Sequence, residues 1–378
     1  MSSTILHVIT GLSDGGAEGV LYRLCTNDSK NNHVVVSLMG LGKYGPLLIQ
    51  DGIELYCLDM SMGTFSLRAL LRLWSLILHI RPDVVQTWMY HSDLIGGIVA
   101  RFAGVSEVLW GIRHTNYVLE DSKLSRYFLQ YLCALFSWIV PKQIVSCADS
   151  AKKFHMTLGF DVNKIVVIHN GFSLSDFRPD SVSGELFRSN LGIGYDSLVL
   201  GMVGRFNPMK DHLNLLQAMS LLKSQGINFK IILVGTGLHY DNMQLQEWVK
   251  SCHLEDDLYL PGPCSDIKAV MNALDFHVLS SAFGEGFPNV LAEAMACGTP
   301  CITTDVGDAA LIVGDTGWVV PPRNSIALSD AIKVALEETI AKRRQRGQAA
   351  RDRIETCFSL ELMLKNYSYL YQAMSHSS

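Results

Sequence analysis

The sequence predicts two doubly wound α/β domains, and three observations carry that prediction. Short β-branched runs alternate with longer helix-period segments from one end of the chain to the other. Most of those runs are continuously apolar rather than alternating, as strands buried on both faces are. The series is also long enough to be used twice, since 378 residues exceed the ~100–200 of one domain. Strands alternating with helices build a parallel sheet, so each half reads as a Rossmann-like domain.

In the first half the strand segments are 5–9, 33–38, 54–58, 84–87, 108–111, 143–146 and 164–168. In the second they are 198–203, 229–234, 258–260, 276–279, 301–303 and 318–320. Between them, 65–80 is amphipathic: Leu67, Leu70, Leu71, Trp74, Ile77 and Leu78 recur at helical spacing, with Arg68 and Arg72 between. Core packing is the expected use of that stripe. The most hydrophobic stretch, 127–140, falls short of the ~20 residues of a spanning helix. It is read as a buried core helix, with an interfacial membrane helix as the alternative. Ser, Asp, Pro and Gly cluster over 172–190, which sets a domain boundary there. The expected division is 1–178, 179–357 and a C-terminal helix and tail over 358–378. The arginine-rich run 342–353, flanked by Glu337, Glu338 and Glu355, is expected to be a solvated helical face.

Composition removes several classes of function. Apolar residues make up 48% of the chain, which excludes a disordered polymer. Lys and Arg number 31 against 36 Asp and Glu, without the basic footprint of a nucleic-acid binder. Of nine cysteines only Cys297 and Cys301 lie close together, with no histidine at zinc-finger spacing. They read as small buried apolar residues in a reducing cytoplasm. Met1-Ser2-Ser3-Thr4 lacks a basic leader and the apolar run after it is a strand's length, so a cytoplasmic location is expected.

Three segments carry chemistry. Gly11 to Gly19 includes Gly15-Gly16-Ala17-Glu18, follows the first strand and opens a helix. Glycine there lets the backbone approach a ligand, and helix N-termini attract anions. The spacing is not the dinucleotide fingerprint, and Val234-Gly235-Thr236-Gly237 has Tyr240 where the third glycine belongs. Gly204-Arg205-Phe206-Asn207-Pro208-Met209-Lys210 puts two cations five positions apart on a turn after a strand. Ligands of open α/β sheets bind beyond such strand ends, and a fork-shaped guanidinium with a compact ammonium suits a pyrophosphate. The third segment, 280–298, runs from a strand into a glycine-rich loop with Glu285, then into a helix with Glu293 among small residues before Gly298. Carboxylates in apolar surroundings call for a ligand's hydroxyls or for cations.

Together these residues resemble the retaining glycosyltransferases of family 4, which have the GT-B architecture. The resemblance spans essentially the whole chain. Glu285 and Glu293 stand in the setting Glu-Gly-Phe-Pro-Asn-Val-Leu-Ala-Glu-Ala-Met-Ala-Cys-Gly. Arg205 and Lys210 match the pyrophosphate-binding pair, and Gly15 to Glu18 match the N-terminal loop. Gln86-Thr87-Trp88-Met89-Tyr90-His91 and Trp110-Gly111-Ile112-Arg113-His114 look like a bacterial subgroup of O-antigen and capsule clusters. The bulk of Ala282-Phe283 before Gly284 departs from many relatives.

The resemblance implies two Rossmann-like domains facing a central cleft, with the C-terminal helix crossing back to the first. It implies that Glu293 binds ribose, that Glu285 contacts the donor sugar, and that Arg205 and Lys210 neutralise the diphosphate without a metal. Gly15 and Gly16 would approach the donor, as would Gly286, Phe287, Pro288, Asn289 and Val290 at the second-domain turn. His114 would lie over the donor sugar, and His91 and Asp93 are candidates for the acceptor side. Glu18 is better explained by the dipole of its own helix. The expected partners are a nucleotide sugar, UDP-linked by preference, and a lipid-linked glycan, with no cofactor and no nucleic acid. Peripheral contact with the cytoplasmic face of the inner membrane is expected with them. A nucleotide-sugar 2-epimerase and a non-catalytic nucleotide-sugar binder are the alternative readings.

Overall fold

The computed structural model describes residues 2–61, 66–115 and 124–375; the expected helix start at residue 65 lies outside them. The chain forms two compact units, 1–171 with 360–378, and 172–359. The changes of unit thus fall at 171/172 and 359/360, against the expected 178/179 and 357/358.

The first unit holds a seven-stranded parallel sheet in the order β3-β2-β1-β4-β5-β6-β7. Its strands are β1 (Thr4–Ile9), β2 (Asn32–Ser37), β3 (Glu54–Cys57), β4 (Val84–Trp88), β5 (Val108–Ile112), β6 (Gln143–Ser146) and β7 (Ile165–Val167). The connecting helices are α1 (Gly16–Asn27), α2 (Tyr44–Gln50), α3 (Leu67–Ile80), α4 (Tyr90–Phe102), α5 (Leu124–Ser137) and α6 (Asp149–Thr157). The second unit has a six-stranded parallel sheet, β10-β9-β8-β11-β12-β13. Its strands are β8 (Val199–Val203), β9 (Lys230–Val234), β10 (Leu258–Gly262), β11 (Phe276–Leu279), β12 (Cys301–Thr304) and β13 (Trp318–Val320). Its helices are α7 (Ser181–Asn190), α8 (His212–Ser224), α9 (Met243–Ser251), α10 (Ile267–Asn272), α11 (Asn289–Ala296), α12 (Ala309–Val313), α13 (Ser325–Leu336) and α14 (Ile340–Phe358). All thirteen expected strands form, and every strand pair is parallel.

The last helix, α15 (Leu360–Ser375), crosses back as expected and belongs to the first unit. Leu360, Met363, Tyr367, Tyr371 and Met374 pack into the cluster of Ile5, Ile9, Val84 and Trp88. Its two buried tyrosines keep their hydroxyls satisfied: Tyr371 donates to Gln86 Oε1 and Arg113 Nη2 donates to the Tyr367 hydroxyl at 2.5 Å. Burying such aromatics contributes on the order of 2–3 kcal/mol each, enough to hold a terminal helix that would otherwise fray.

Three expectations change. Helix α5 is not buried all round, and Phe128, Tyr131 and Leu135 stand exposed on it. On α3 the sheet takes Ala69, Leu73 and Ile77, leaving Leu67, Leu71, Trp74 and Leu78 in solvent. The arginines of α14, exposed Arg344 apart, are not a solvated face. Arg351 donates to the carbonyls of Leu174, Phe177 and Ala296, Arg353 to those of Leu311 and Ile312, and Arg343 pairs with Asp275 at 2.6 Å. No helix among the described residues is long and apolar enough to cross a membrane.

Candidate functional site

In the second unit the winding reverses at β8, which has β9 on one side and β11 on the other. Such a switch point opens a crevice beyond the strand ends, where ligands of open α/β sheets bind. The loop after β8 is fixed by Gly204 N–H donating to Val234 O at 2.9 Å and Phe206 N–H to Thr236 O at 2.8 Å. Asn207 accepts from Met209 N–H at 2.9 Å and, with Pro208, starts one 3-10 turn ending at Lys210. The loop after β11 is tied to it. Ser280 Oγ donates to the carbonyls of Lys210 and Asp211 at 2.8 and 3.1 Å, and Ala282 N–H to Met209 O at 2.8 Å.

This junction brings Lys210 and Glu285 together. The lysine chain runs across Gly204, and its Nζ lies 2.6 Å from Glu285 Oε1. The Ser281 hydroxyl donates to the same oxygen at 2.6 Å. Glu285 is buried and Lys210 largely so, a pairing that meets much of the desolvation cost of each charge. Arg205, on the same turn, is exposed and in no ion pair among the described residues. Burial holds the neighbouring imidazoles neutral: His212 is pushed down to about 4 and His277 to about 3, with Lys210's charge adding to both. The cationic character of this crevice therefore rests on Lys210 and Arg205, with exposed Arg323 over the Phe283 ring at 5.8 Å beside them.

Helix α11 starts after Pro288 with no side-chain cap. Its partly exposed positions Asn289, Val290 and Glu293 share one face, while Leu291, Ala292, Ala294, Met295 and Ala296 are buried. Phe287 enters the core, stacked on Phe172 at 6.1 Å and edge-on to Phe358 at 5.3 Å, so only its backbone is offered to the crevice. Gly286 O accepts from Asp308 N–H at 2.9 Å. Gly307 has φ 66°, and a Cβ there would collide with the carbonyls of Glu285 and Gly286. Sequence reasoning gave Gly307, Ser280 and Ser281 no role; their positions between recognisable strand ends were the available signal.

The first unit's switch point lies between β1 and β4, and its loops meet where Thr10 Oγ1 and Ser92 Oγ bond at 3.0 Å. Gly15 precedes α1, and the Glu18 carboxylate folds back over it with the Ser13 hydroxyl donating at 3.4 Å. Glu18 thus serves its own helix start, while Gly16 is the first residue of α1. His114 follows β5 and is half-buried, its ring edge-on to Tyr90 at 4.6 Å. Tyr90 in turn bonds His155 Nε2 at 2.5 Å, and His155 Nδ1 bonds Ala151 O at 2.7 Å. The carbonyl can only accept, so Nδ1 carries the proton and Tyr90 donates; burial pushes His155 down to about 4. His91 is exposed in the first turn of α4. Asp93 is buried instead: its Oδ1 accepts from Thr87 Oγ1 at 2.6 Å and from Gly111 N–H at 3.2 Å. It joins β4 to β5 rather than facing outward.

His7, Cys25 and His33 are a buried group of metal-ligand types in this unit, and their hydrogen bonds argue against an ion. Trp88 Nε1, which can only donate, bonds His7 Nδ1 at 3.1 Å. His7 therefore protonates Nε2 and donates to His33 Nδ1 at 2.9 Å, and His33 Nε2 faces Asp28 at 3.2 Å. A metal on His7 Nε2 would force the proton onto Nδ1, against the indole N–H.

Comparison with known proteins covers both units. The family Glycosyltransferase Family 4 matches residues 14–176, and Glycosyl transferases group 1 matches 184–353. The capsular polysaccharide biosynthesis glycosyltransferase CapM of Staphylococcus aureus is 26% identical, with 83% of this chain and 82% of that protein covered. An Escherichia coli UDP-Gal:alpha-D-GlcNAc-diphosphoundecaprenol alpha-1,3-galactosyltransferase is 28% identical over 69% of each. Among solved structures, Anabaena HepE in complex with UDP and glucose superposes with TM-score 0.86 at 19% identity, covering 98% of this chain and 100% of that one.

Proposed function

The chain belongs to the family 4 glycosyltransferases of the GT-B type, and from that premise we propose that it transfers a sugar, with retention, from a UDP-sugar to a hydroxyl of a lipid-linked or surface-polysaccharide glycan. An α-linked donor then gives an α-linkage. The reading is supported by the Escherichia coli relative, named for UDP-Gal and a diphosphoundecaprenol acceptor, and by HepE's complex with UDP and glucose. The observation that carries it is the Lys210–Glu285 pair at the switch point, with Arg205 on the same turn.

As the bond from the anomeric carbon to the phosphate oxygen breaks, the diphosphate takes up its electron pair. Lys210, Arg205 and the N–H groups opening α11 would stabilise that charge. The acceptor oxygen forms the new bond on the same face, and its proton passes to the departing phosphate. Glu285 would hold a hydroxyl of the sugar and Glu293 those of ribose; Gly16 and His114 keep the donor-side roles that the family resemblance implies. With two cations for the diphosphate, no metal is required. A lipid-borne acceptor would set the reaction at the cytoplasmic face of the inner membrane.

The test is a panel of UDP- and GDP-sugars read by nucleotide release against lipid-linked acceptors, with and without EDTA. Acceptor-dependent release that survives EDTA is expected. Free epimerised nucleotide sugar without acceptor would favour the 2-epimerase, and nucleotide-sugar binding without turnover the non-catalytic reading. Loss with EDTA and recovery with magnesium would remove the metal-free assignment.

A further inference from the structure

A line of polar ring contacts runs through the first unit from α6 to the loop after β5. It starts at the Ala151 carbonyl, which accepts from His155 Nδ1 at 2.7 Å. His155 Nε2 accepts from the Tyr90 hydroxyl at 2.5 Å, and Gln130 of α5 donates to the same hydroxyl at 3.3 Å. The Tyr90 ring meets His114 edge-on at 4.6 Å, with the His155 ring behind it at 6.4 Å from His114. Tyr90 is 6% exposed, and Gln130 and His155 are buried, so a ligand in the crevice does not reach the phenol or the inner imidazole. His114 is the member of this line left partly open to solvent.

Each link is held from more than one side. Phe154 and Phe160 stand edge-on to the His155 ring at 5.4 and 4.9 Å, and Cys133 Sγ donates to Tyr90 O at 3.6 Å. The residue ahead of Tyr90 is strained: Met89 has φ 72° and ψ 155°, a setting uncommon outside glycine. Its N–H donates to Gly111 O at 3.0 Å and its carbonyl accepts from Asp93 N–H at 2.8 Å. With that one residue between β4 and α4, Tyr90 becomes the first residue of the helix and is turned into the protein. Strain of this kind persists where the surrounding contacts over-determine it. Helix packing alone calls for a large apolar ring at position 90. It does not call for a phenol bonded to a neutral imidazole, because apolar partners of the same shape would fill the space without burying three polar groups.

We propose that Tyr90 is a positioning residue that holds the His114 ring at one bearing for the donor sugar, with His155 and Gln130 as its anchors. This rests on the donor-side role that the family resemblance implies for His114. An imidazole turns about two side-chain torsions, and a contact to one sugar hydroxyl needs a single setting of both. Edge-on packing against a ring pinned at its hydroxyl selects that setting before the donor arrives. Tyr90 itself touches neither the nucleotide nor the reacting carbon and acts through His114.

The experiment is a double-mutant cycle on the full chain, read by calorimetry with UDP and with UDP-glucose, UDP-galactose and their N-acetyl forms. The quantity compared is the affinity for the best-bound UDP-sugar relative to that for UDP. Tyr90→Phe keeps the ring and loses the anchor, so this ratio should fall about fivefold while UDP binds as before. His155→Leu removes the same anchor from the α6 side and should lower the ratio equally, even where it also lowers melting. His114→Ala should lower it further, and adding Tyr90→Phe to His114→Ala should then change nothing. That non-additivity separates positioning from general support of the fold, which would persist without His114. The proposal is overturned if Tyr90→Phe costs as much in the His114→Ala background as in the parent, or if it weakens UDP and UDP-sugar alike. A silent His114→Ala would overturn it at its premise, by removing the donor-side role of that histidine, while parent chain that binds none of the four sugars better than UDP would count against the UDP-sugar reading itself.

Discussion

Each unit opens a crevice at its own switch point, and the two are equipped differently. At the second unit's switch point, loops from β8 and β11 set Lys210 against Glu285 at 2.6 Å, with exposed Arg205 beside them. At the first unit's switch point the loops from β1 and β4 meet through neutral hydroxyls. Of its acids, Glu18 turns over its own helix start and Asp93 into the β4–β5 junction, while exposed Asp14 is paired with Lys43 at 2.9 Å. A doubly wound sheet fixes where a ligand goes; what it can bind depends on which side chains the two loops release. By that criterion the second unit is the one whose loops release cations for an anion, as the proposed diphosphate site requires.

The largest expected effect breaks the charged crevice. Lys210→Ala removes the cation and leaves Glu285 buried with a hydroxyl partner, so turnover should fall ~10²–10³-fold at saturating donor. Arg205→Ala, from an exposed position, should cost less, on the order of tenfold, and salt should mask part of its effect. Steady-state kinetics on both variants, beside melting curves, checks the ranking. Equal losses, or none, would show that burial does not set the strength of these contacts.

Glu285→Gln sharpens the comparison through opposite changes in two quantities. In the ligand-free chain the carboxylate holds Lys210 and would lie beside an incoming diphosphate. Neutralising it releases the ammonium and removes a like charge. UDP should then bind several-fold tighter, while kcat falls because a carboxylate's strong acceptor contact to the sugar is lost. Calorimetry with UDP beside kinetics reads both. Weaker UDP binding would mean that the ion pair supports the site rather than competing for it.

Much of this was legible in the sequence, for reasons that also mark the limit. Strands buried on both faces must be continuously apolar, so every strand could be read, and strand ends locate loops such as Gly204–Lys210. Periodicity could not say which of two apolar stripes on α3 meets the sheet, because Leu73 and Leu71 differ only in what the fold sets beside them. Arg351 and Arg353 looked solvated because their partners are backbone carbonyls, which leave no mark on composition. The Lys210–Glu285 bond joins residues 75 positions apart, beyond any local pattern. Gly307 is required by the carbonyls of another loop, which no local spacing reveals.

The smallest effect concerns the first unit's crevice. Burial drives the Asp93 carboxyl up to about 8, against the lowering pull of Thr87, the Gly111 N–H and Arg113. In the unfolded chain the same group titrates near the ordinary carboxylate value of ~3.9. Between those two values the folded protein binds a proton that the unfolded chain releases, so stability falls as pH rises. The contribution is fully present below about pH 4 and is lost by about pH 8. Asp93→Asn keeps an oxygen to accept from Thr87 and Gly111 but cannot ionise. Its melting temperature should therefore fall less than that of the parent between pH 5 and pH 8, and the difference should vanish below pH 4. Activity on saturating donor should change little, because the side chain faces the β4–β5 junction. Parallel melting curves across that range would mean that Asp93 stays ionised in the fold, with Arg113 as its counter-charge, and the first unit's crevice would then be charged after all.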